Sequence, residues 1–555
     1  MNTADFKKLT VRGLKFCGYY STRLILNTIV YLTQLVSNGV FGMHLNDLKL
    51  PDIKFSEIDK EKDSIDGNIK VPKWLKQSGL CLGYNYFRPK ELLYYPIDSY
   101  DELCKTWAFI GAPGTGKSTM GENLAIDIAN NTDFGLCFID VADGDTIDTI
   151  IKNLSEHRLK DVILLDFTQK NYLPGLNLLD FDKEILEQFP HIIQAEIISF
   201  FKKRFAESIG FSSEDLLANG INIILQQNVY PKTLLTLINL FADKKFRKQI
   251  IESLEDTRLK KYWIRFEKFS ESQQREITRP LLNKVGNLTN NNYLISIICQ
   301  ATSTINFTNV IDEGKILLIK APKAYVGKTN IQIIIPIILS KFWFSALSRF
   351  KMPITQRKPF FLFLDEPQQY LNNEANFDEM LTEMRKYRLS LMLFFQSPEQ
   401  IAIKNIINTI LEVAPHLFIF QLGRSGMSML MRELEEADEE TEKLFRFLFF
   451  TLPKHHAISR IYYKTHNTNI VLKTKPKPTG ISVQEFENRY QMLLDQSKLY
   501  TKPLDVIKKE IEIYDIDIDE NEEMIENENS KQQNRKVDFF EQFKKEINQT
   551  RYRNR

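Results

Sequence analysis

From Trp107 onward the chain alternates short, wholly apolar runs with apolar residues at helical spacing. Trp107–Ile110 (WAFI), Gly135–Asp140 (GLCFID) and Val162–Asp166 (VILLD) are too short for helices and show no polar alternation, which predicts strands buried on both faces. Behind the first of them, Met120, Leu124 and Ile128 recur at helical spacing within Lys117–Ala129. From about Asp182 to about Ile305 the pattern changes to helix after helix, as in Ile185–Ile209, Ser213–Gln227 and Lys244–Glu267. Strands then resume at Lys315–Lys320, Phe360–Asp365, Leu389–Gln396 and His416–Leu422, separated by helices such as Ile331–Arg349 and Phe377–Arg388. Alternation on both sides of a helical stretch predicts an α/β fold: one parallel sheet covered by helices on both faces, interrupted by an all-helical insertion. The expected segments are 1–75 (an N-terminal piece), 76–181 (sheet, first part), 182–305 (helical insertion), 306–478 (sheet, second part) and 479–555 (a helix and an acidic tail).

The two ends read differently from the middle. Lys7, Lys8, Arg12 and Lys15 interrupt the first twenty residues, so no cleavable signal peptide is expected. Leu24–Met43 is free of charge and long enough to span a bilayer, but Asn27, Gln34 and Asn38 break its apolarity. Ile25, Ile29, Leu32 and Val36 fall on one stripe, which fits a helix lying on a membrane or on a partner subunit. Asp515–Asn529 carries eight acids and no base, a composition that does not order itself, before a short apolar–basic ending. That ending reads either as a tethered docking element or as a solubilising tail.

Composition narrows the class. At 555 residues, 43% hydrophobic and 26% charged, the chain is ordinary globular material of several domains. A net charge of +2 gives no bulk attraction to nucleic acid, so any such contact must be local. The five cysteines are scattered without a C-x-x-C pair, which argues against a disulfide framework or a zinc site and suits a reducing cytoplasm. His455 and His456 read as surface or packing residues.

The chemistry lies at two strand ends. Gly111-Ala112-Pro113-Gly114-Thr115-Gly116-Lys117-Ser118, followed by Thr119, satisfies G-x-x-x-x-G-K-[ST] and sits between a predicted strand and a predicted helix. Such a turn aims backbone N–H groups at a phosphate chain; Lys117 would reach the β- and γ-phosphates and the Ser118 hydroxyl would bind Mg²⁺. Binding alone is not hydrolysis, which also needs an acid for the metal and a base for the attacking water. Phe360–Leu364 releases Asp365 and Glu366 at its end, and these are the expected magnesium acid and general base. Gln396 ends the next predicted strand, either as a sensor of the γ-phosphate or as a cap before Ser397-Pro398.

Those residues carry a family resemblance. Phe361–Tyr370 (FLFLDEPQQY), Leu381–Ser390 (LTEMRKYRLS) and Phe395-Gln396 resemble the HerA/FtsK superfamily of ring motors, most closely conjugative coupling proteins of the TraG/TraD type and related type IV secretion ATPases. Phe138–Asp140, Gly175–Asn177, Leu281–Lys284, Asp312–Leu318 and Leu452–Ala457 look like the same group, so the likeness spans about Gly79 to Pro478. It implies a RecA-like core, a homo-hexameric ring, ATP and Mg²⁺ between subunits, and DNA or a secreted substrate in a central pore. It also implies an arginine supplied across the interface. Arg385 is the first candidate and Arg388 the second. Relatives tend to carry an arginine where this chain has Gln421, with Arg424 three residues on, so Arg424 is the third. Each of them reads equally as a surface or helix-end charge. Coupling proteins usually have two clear membrane spans before the motor; this chain has at most the 24–43 segment, which implies a cytoplasmic form, peripheral at the inner face of the cell membrane. The function implied is an ATP-driven DNA translocase delivering DNA or a nucleoprotein to a conjugation or type IV secretion channel, with channel and relaxosome proteins as partners. The alternatives are a secretion ATPase acting on proteins, a DNA-packaging or genome-maintenance motor, and a nucleotide-gated scaffold.

Overall fold

The computed structural model describes residues 71–181, 183–205, 210–371, 375–396, 410–423 and 451–514, with residues 426, 430 and 448. The 24–43 segment, the acidic tail and Arg424 lie outside the described residues. In chain order the strands are β1 (Leu80–Asn85), β2 (Leu92–Tyr95), β3 (Trp107–Ile110), β4 (Gly135–Asp140), β5 (Val162–Asp166), β6 (Tyr172–Leu173), β7 (Ile316–Lys320), β8 (Phe360–Asp365), β9 (Leu389–Phe395), β10 (His416–Ile419), β11 (His456–Tyr463), β12 (His466–Lys473) and β13 (Lys502–Pro503). The helices named below are α1 (Lys117–Asn131), α2 (Asp145–Asn153), α3 (Lys328–Ser348) and α4 (Val483–Ser497). The chain divides into two compact units, one running to Asp127 and resuming over Met392–Pro478, the other formed by Ile128–Leu391 and the residues from Thr479.

In the first unit the strands run in the order β2-β1-β12-β11-β10-β3-β9. The β10–β3 and β3–β9 pairs are parallel; β10–β11, β11–β12, β12–β1 and β1–β2 are antiparallel. Register explains the core. Phe109 lies opposite both Phe394 and Phe418, and the three rings stack at centroid distances of 4.4 and 4.8 Å. Trp107 extends the ladder onto Phe418 and His416. Burial among these rings drops the His416 pKa to about 3, so its imidazole stays neutral and serves as a packed ring.

The second unit carries the parallel row β8-β4-β7-β5. Strands β4 and β5 are buried at every position and β7 and β8 at all but the last, as expected where helices cover both faces. The apolar run of β5 looks central, yet β5 closes the row. Its solvent side is covered by α4, where Ser497 Oγ accepts the Leu164 N–H and the Tyr490 hydroxyl donates to Asp166. Asp140 and Asp166, at the ends of β4 and β5, cap the turns that follow: Asp140 accepts the backbone N–H groups of Ala142 and Thr146, and Asp166 the backbone N–H of Thr168 and the side-chain amide of Gln169. Burial lifts the Asp140 pKa to about 6. Among the described residues, helix follows helix from Lys183 to Ile298. Among the described residues the helix beginning at Lys328 is long and apolar enough to cross a membrane, but 83% of its most apolar stretch is buried inside the protein. It is the spine against which Phe307 and Phe360 pack, through Phe342.

The fold expectation holds: this is an α/β protein built on a mostly parallel sheet flanked by helices. The four antiparallel strands β1, β2, β11 and β12 are an addition that the apolar runs did not announce.

Candidate functional site

The phosphate-type loop grows from the middle strand of the three parallel ones in the first unit. Gly111 N–H donates to the Phe395 carbonyl at 3.1 Å and Ala112 N–H to the Gln421 carbonyl at 2.8 Å. The loop therefore rises between the tips of β9 and β10; Gln396 is the first residue beyond β9 and Gln421 the second beyond β10. Gly114 and Gly116 take φ of +71° and +111°, the left-handed region that side chains disfavour. Gly116 has a second reason to be glycine: a Cβ there would stand 2.9 Å from the His455 Cα. Within the loop the Thr115 hydroxyl donates to the Ala112 carbonyl at 2.7 Å, and outside it the Thr115 carbonyl accepts the His455 N–H at 2.7 Å. Gly111 and Ala112 spend their own amides on the neighbouring strand tips, so an anion at this loop is left to the N–H groups from Gly114 onward.

Lys117 opens α1 and is buried; its Nζ donates to the carbonyls of Gly111 (2.5 Å) and Ala112 (3.0 Å). It is thus folded back over the loop that a phosphate would share. The first turn of α1 holds no acid, so the positive end of the helix dipole is uncompensated there. Ser118 is exposed and Thr119 half-buried. Pro113 and Gly114 are exposed at the loop tip. His455, read from sequence as a surface or packing residue, supplies the backbone brace just described; a long-range N–H to carbonyl contact has no signature in residue type.

The second unit presents the carboxylates. Five buried residues of β8 lead to Asp365, which is half-buried, and Glu366 follows at φ +47° and ψ +51°. A left-handed glutamate is uncommon, and such strain collects at functional sites. The surroundings hold it. Pro367–Gln369 forms a tight turn whose Gln369 N–H returns to the Glu366 carbonyl at 2.9 Å, and the buried Tyr370 hydroxyl donates to the Asp365 carbonyl at 3.1 Å. Burial pushes the Tyr370 hydroxyl pKa well up, so it remains a donor.

The arginines stand at the other end of the same strand. Arg385 is exposed in the turn Met384–Tyr387 and, among the described residues, makes no ion pair. Arg388 is only 9% exposed, sits at φ +63°, and its carbonyl accepts the N–H of Phe360, the first residue of β8. Six residues of extended chain separate Phe360 from Glu366, about 20 Å. The chain's own Arg385 and Arg388 are therefore held at the end of β8 remote from its carboxylates.

No protein-family model matches the chain, and no curated protein matches its sequence. Solved structures do. The plasmid coupling protein TrwB in complex with the non-hydrolysable ATP analogue ADPNP is similar over 75% of this chain and 95% of its own, with a TM-score of 0.50 and 14% identity. The chain has the fold of a plasmid coupling protein. TrwB in complex with ADP and Mg²⁺ matches over 74% of this chain and 94% of its own (TM-score 0.49, 14% identity). VirB4 of Thermoanaerobacter pseudethanolicus matches over 77% and 99% (TM-score 0.48, 11% identity). At 14% identity what the chain shares with TrwB is the α/β fold.

Proposed function

We propose that this chain is an ATP-driven motor of the conjugation and type IV secretion class, which moves DNA or a nucleoprotein through the pore of a homo-hexameric ring. The observation that carries the reading is the presence of a glycine loop with left-handed turns ending in Lys117 and of a left-handed Glu366, each at the end of a buried parallel strand. The coupling protein whose fold the chain shares is known in complex with ADPNP. In this reading the amides of Gly114–Thr119 and the Lys117 ammonium hold the phosphates of ATP, while the Gly111 and Ala112 amides stay on the tips of the neighbouring strands. The exposed Ser118 hydroxyl and the Asp365 carboxylate are hard oxygen donors of the kind Mg²⁺ takes, alone or through water. Glu366 accepts a proton from the attacking water, and Gln396, next to the strand tip that Gly111 binds, reads the γ-phosphate. Magnesium, when bound, neutralises charge on the phosphates. Arg385 acts on a neighbouring subunit's nucleotide, because it is exposed, without an ion pair among the described residues, and held about 20 Å of strand away from its own chain's Glu366. Burial makes Arg388 the poorer candidate. The protein works in the cytoplasm, at the inner face of the membrane beside its channel, and 182–305 serves as an inserted helical domain.

The test is phosphate release by the assembled protein with and without DNA. DNA is expected to accelerate hydrolysis, and its affinity to drop by about 10³–10⁵ between 50 and 200 mM salt if the pore meets six to ten phosphates. Failure of DNA either to bind or to accelerate hydrolysis contradicts the DNA part of the proposal. The net charge of +2 favours a second reading, in which the moved substrate is a protein. Salt-insensitive stimulation by a channel protein, in place of DNA, is its expected result.

A further inference from the structure

Two other guanidinium groups grip the turn that presents Arg385. Arg349, only 1% exposed, donates to the carbonyls of Tyr387 (3.0 Å), Lys358 (2.9 Å) and Ile311 (3.0 Å) and pairs with Asp312 at 2.7 Å. Arg357 is half-buried. It donates to the Lys386 carbonyl at 2.7 Å and to those of Met352 (2.9 Å) and Phe350 (3.4 Å), and its guanidinium lies 5.7 Å from the Tyr387 ring centre. The Trp343 and Tyr387 rings also meet edge-to-face, their centroids 6.3 Å apart. The carbonyls of Lys386 and Tyr387 are the last of a tight turn, groups that a helix end leaves without an internal partner. Beyond them the chain must pass through left-handed Arg388, where glycine is the usual occupant.

A turn that only had to connect a helix to β9 would be met by a glycine and water. Here one fork of N–H donors ties the Phe350–Met352 segment to the Lys386 carbonyl, one residue beyond Arg385. We propose that Arg357 is a positioning residue for Arg385: by fixing the Lys386 carbonyl it fixes the direction in which the Arg385 side chain leaves the surface, while Arg349 anchors the adjoining peptide to the core. The inference rests on the reading of Arg385 as the arginine acting in trans. Arg357 itself touches no nucleotide. A lysine cannot replace it, since a single ammonium does not span three carbonyls with the geometry of a planar fork.

The experiment is steady-state ATP hydrolysis by the full-length protein as Arg357→Ala, Arg357→Lys, Arg385→Ala and the Arg357→Ala/Arg385→Ala double variant, with thermal unfolding of each. Arg357→Ala is expected to lower kcat by about tenfold to a hundredfold, the cost of a misplaced catalytic group. KM for ATP and the unfolding temperature should stay at their original values, and Arg357→Lys should not restore kcat. In the Arg385→Ala background, Arg357→Ala should cost nothing more, because the side chain it positions is gone. An unchanged kcat in Arg357→Ala beside a crippled Arg385→Ala overturns this inference alone. An equal loss with and without Arg385 overturns it too, since the role would then be merely structural. Full activity in Arg385→Ala removes the trans-arginine reading and this inference with it.

Discussion

Replacing Arg385 by alanine is expected to lower ATP turnover by about 10³–10⁵, the range in which an arginine supplied to a transferring phosphoryl group acts. The fold should tolerate the change, because the side chain is exposed and, among the described residues, makes no ion pair. The informative part is a mixture. Arg385→Ala subunits keep Lys117, and Lys117→Ala subunits keep Arg385; neither hydrolyses ATP alone. Combined, they form some interfaces with an intact loop on one side and an intact arginine on the other, so activity returns. Recovery on mixing is the signature of action in trans, and it follows from the separation of Arg385 from Glu366 along β8. A mixture as inactive as its components contradicts it.

Glu366→Gln is expected to lower the hydrolysis rate by about 10²–10⁴, the usual worth of a positioned general base. Nucleotide affinity should hold, since the loop of Gly111–Thr119 is untouched and glutamine has the shape of glutamate. The left-handed backbone of Glu366 has supports in its neighbours. It is set by Pro367, by the Gln369 N–H on the Glu366 carbonyl and by the Tyr370 hydroxyl on the Asp365 carbonyl. A filter-binding or fluorescence titration beside single-turnover phosphate release separates the two effects. Loss of binding together with hydrolysis would assign Glu366 to the fold instead of the chemistry.

Much of this protein is legible in its residues, and the reasons are physical. A strand covered on both faces must be apolar throughout, so β3, β4, β5, β8 and β9 stand out as runs, and the carboxylates of Asp365 and Glu366 mark where one of them reaches solvent. The glycine loop is legible because each left-handed position excludes almost every other residue. The β11–β12 hairpin is not. Its second strand opens with His466-Asn467-Thr468-Asn469, mostly solvent-facing, and its turn uses a left-handed Lys464 where glycine or asparagine would have signalled a hairpin.

Buried arginines are the other blind spot. Arg158 donates to the carbonyls of Ala129, Thr132, Phe134 and Gly314, and Arg349 is one of the most enclosed side chains in the molecule. In sequence each resembles an ordinary helix-end charge. The same ambiguity surrounds Arg385 and Arg388, three positions apart and identical in type. Only the backbone tells them apart, by burying the one whose carbonyl starts β8. His455 is hidden for a related reason: what it gives the loop is a peptide N–H, which every residue but proline has.

The proposed function requires Ser118 and Asp365 to act on one metal-bound nucleotide. Nucleotide affinity measured with Mg²⁺ and with a chelator, for the unaltered chain, Ser118→Ala and Asp365→Asn, addresses it most directly. The prediction is that Mg²⁺ tightens binding to the unaltered chain, and that either substitution erases this gain while leaving the chelator value where it was. An Asp365→Asn protein that keeps the whole magnesium gain would contradict it.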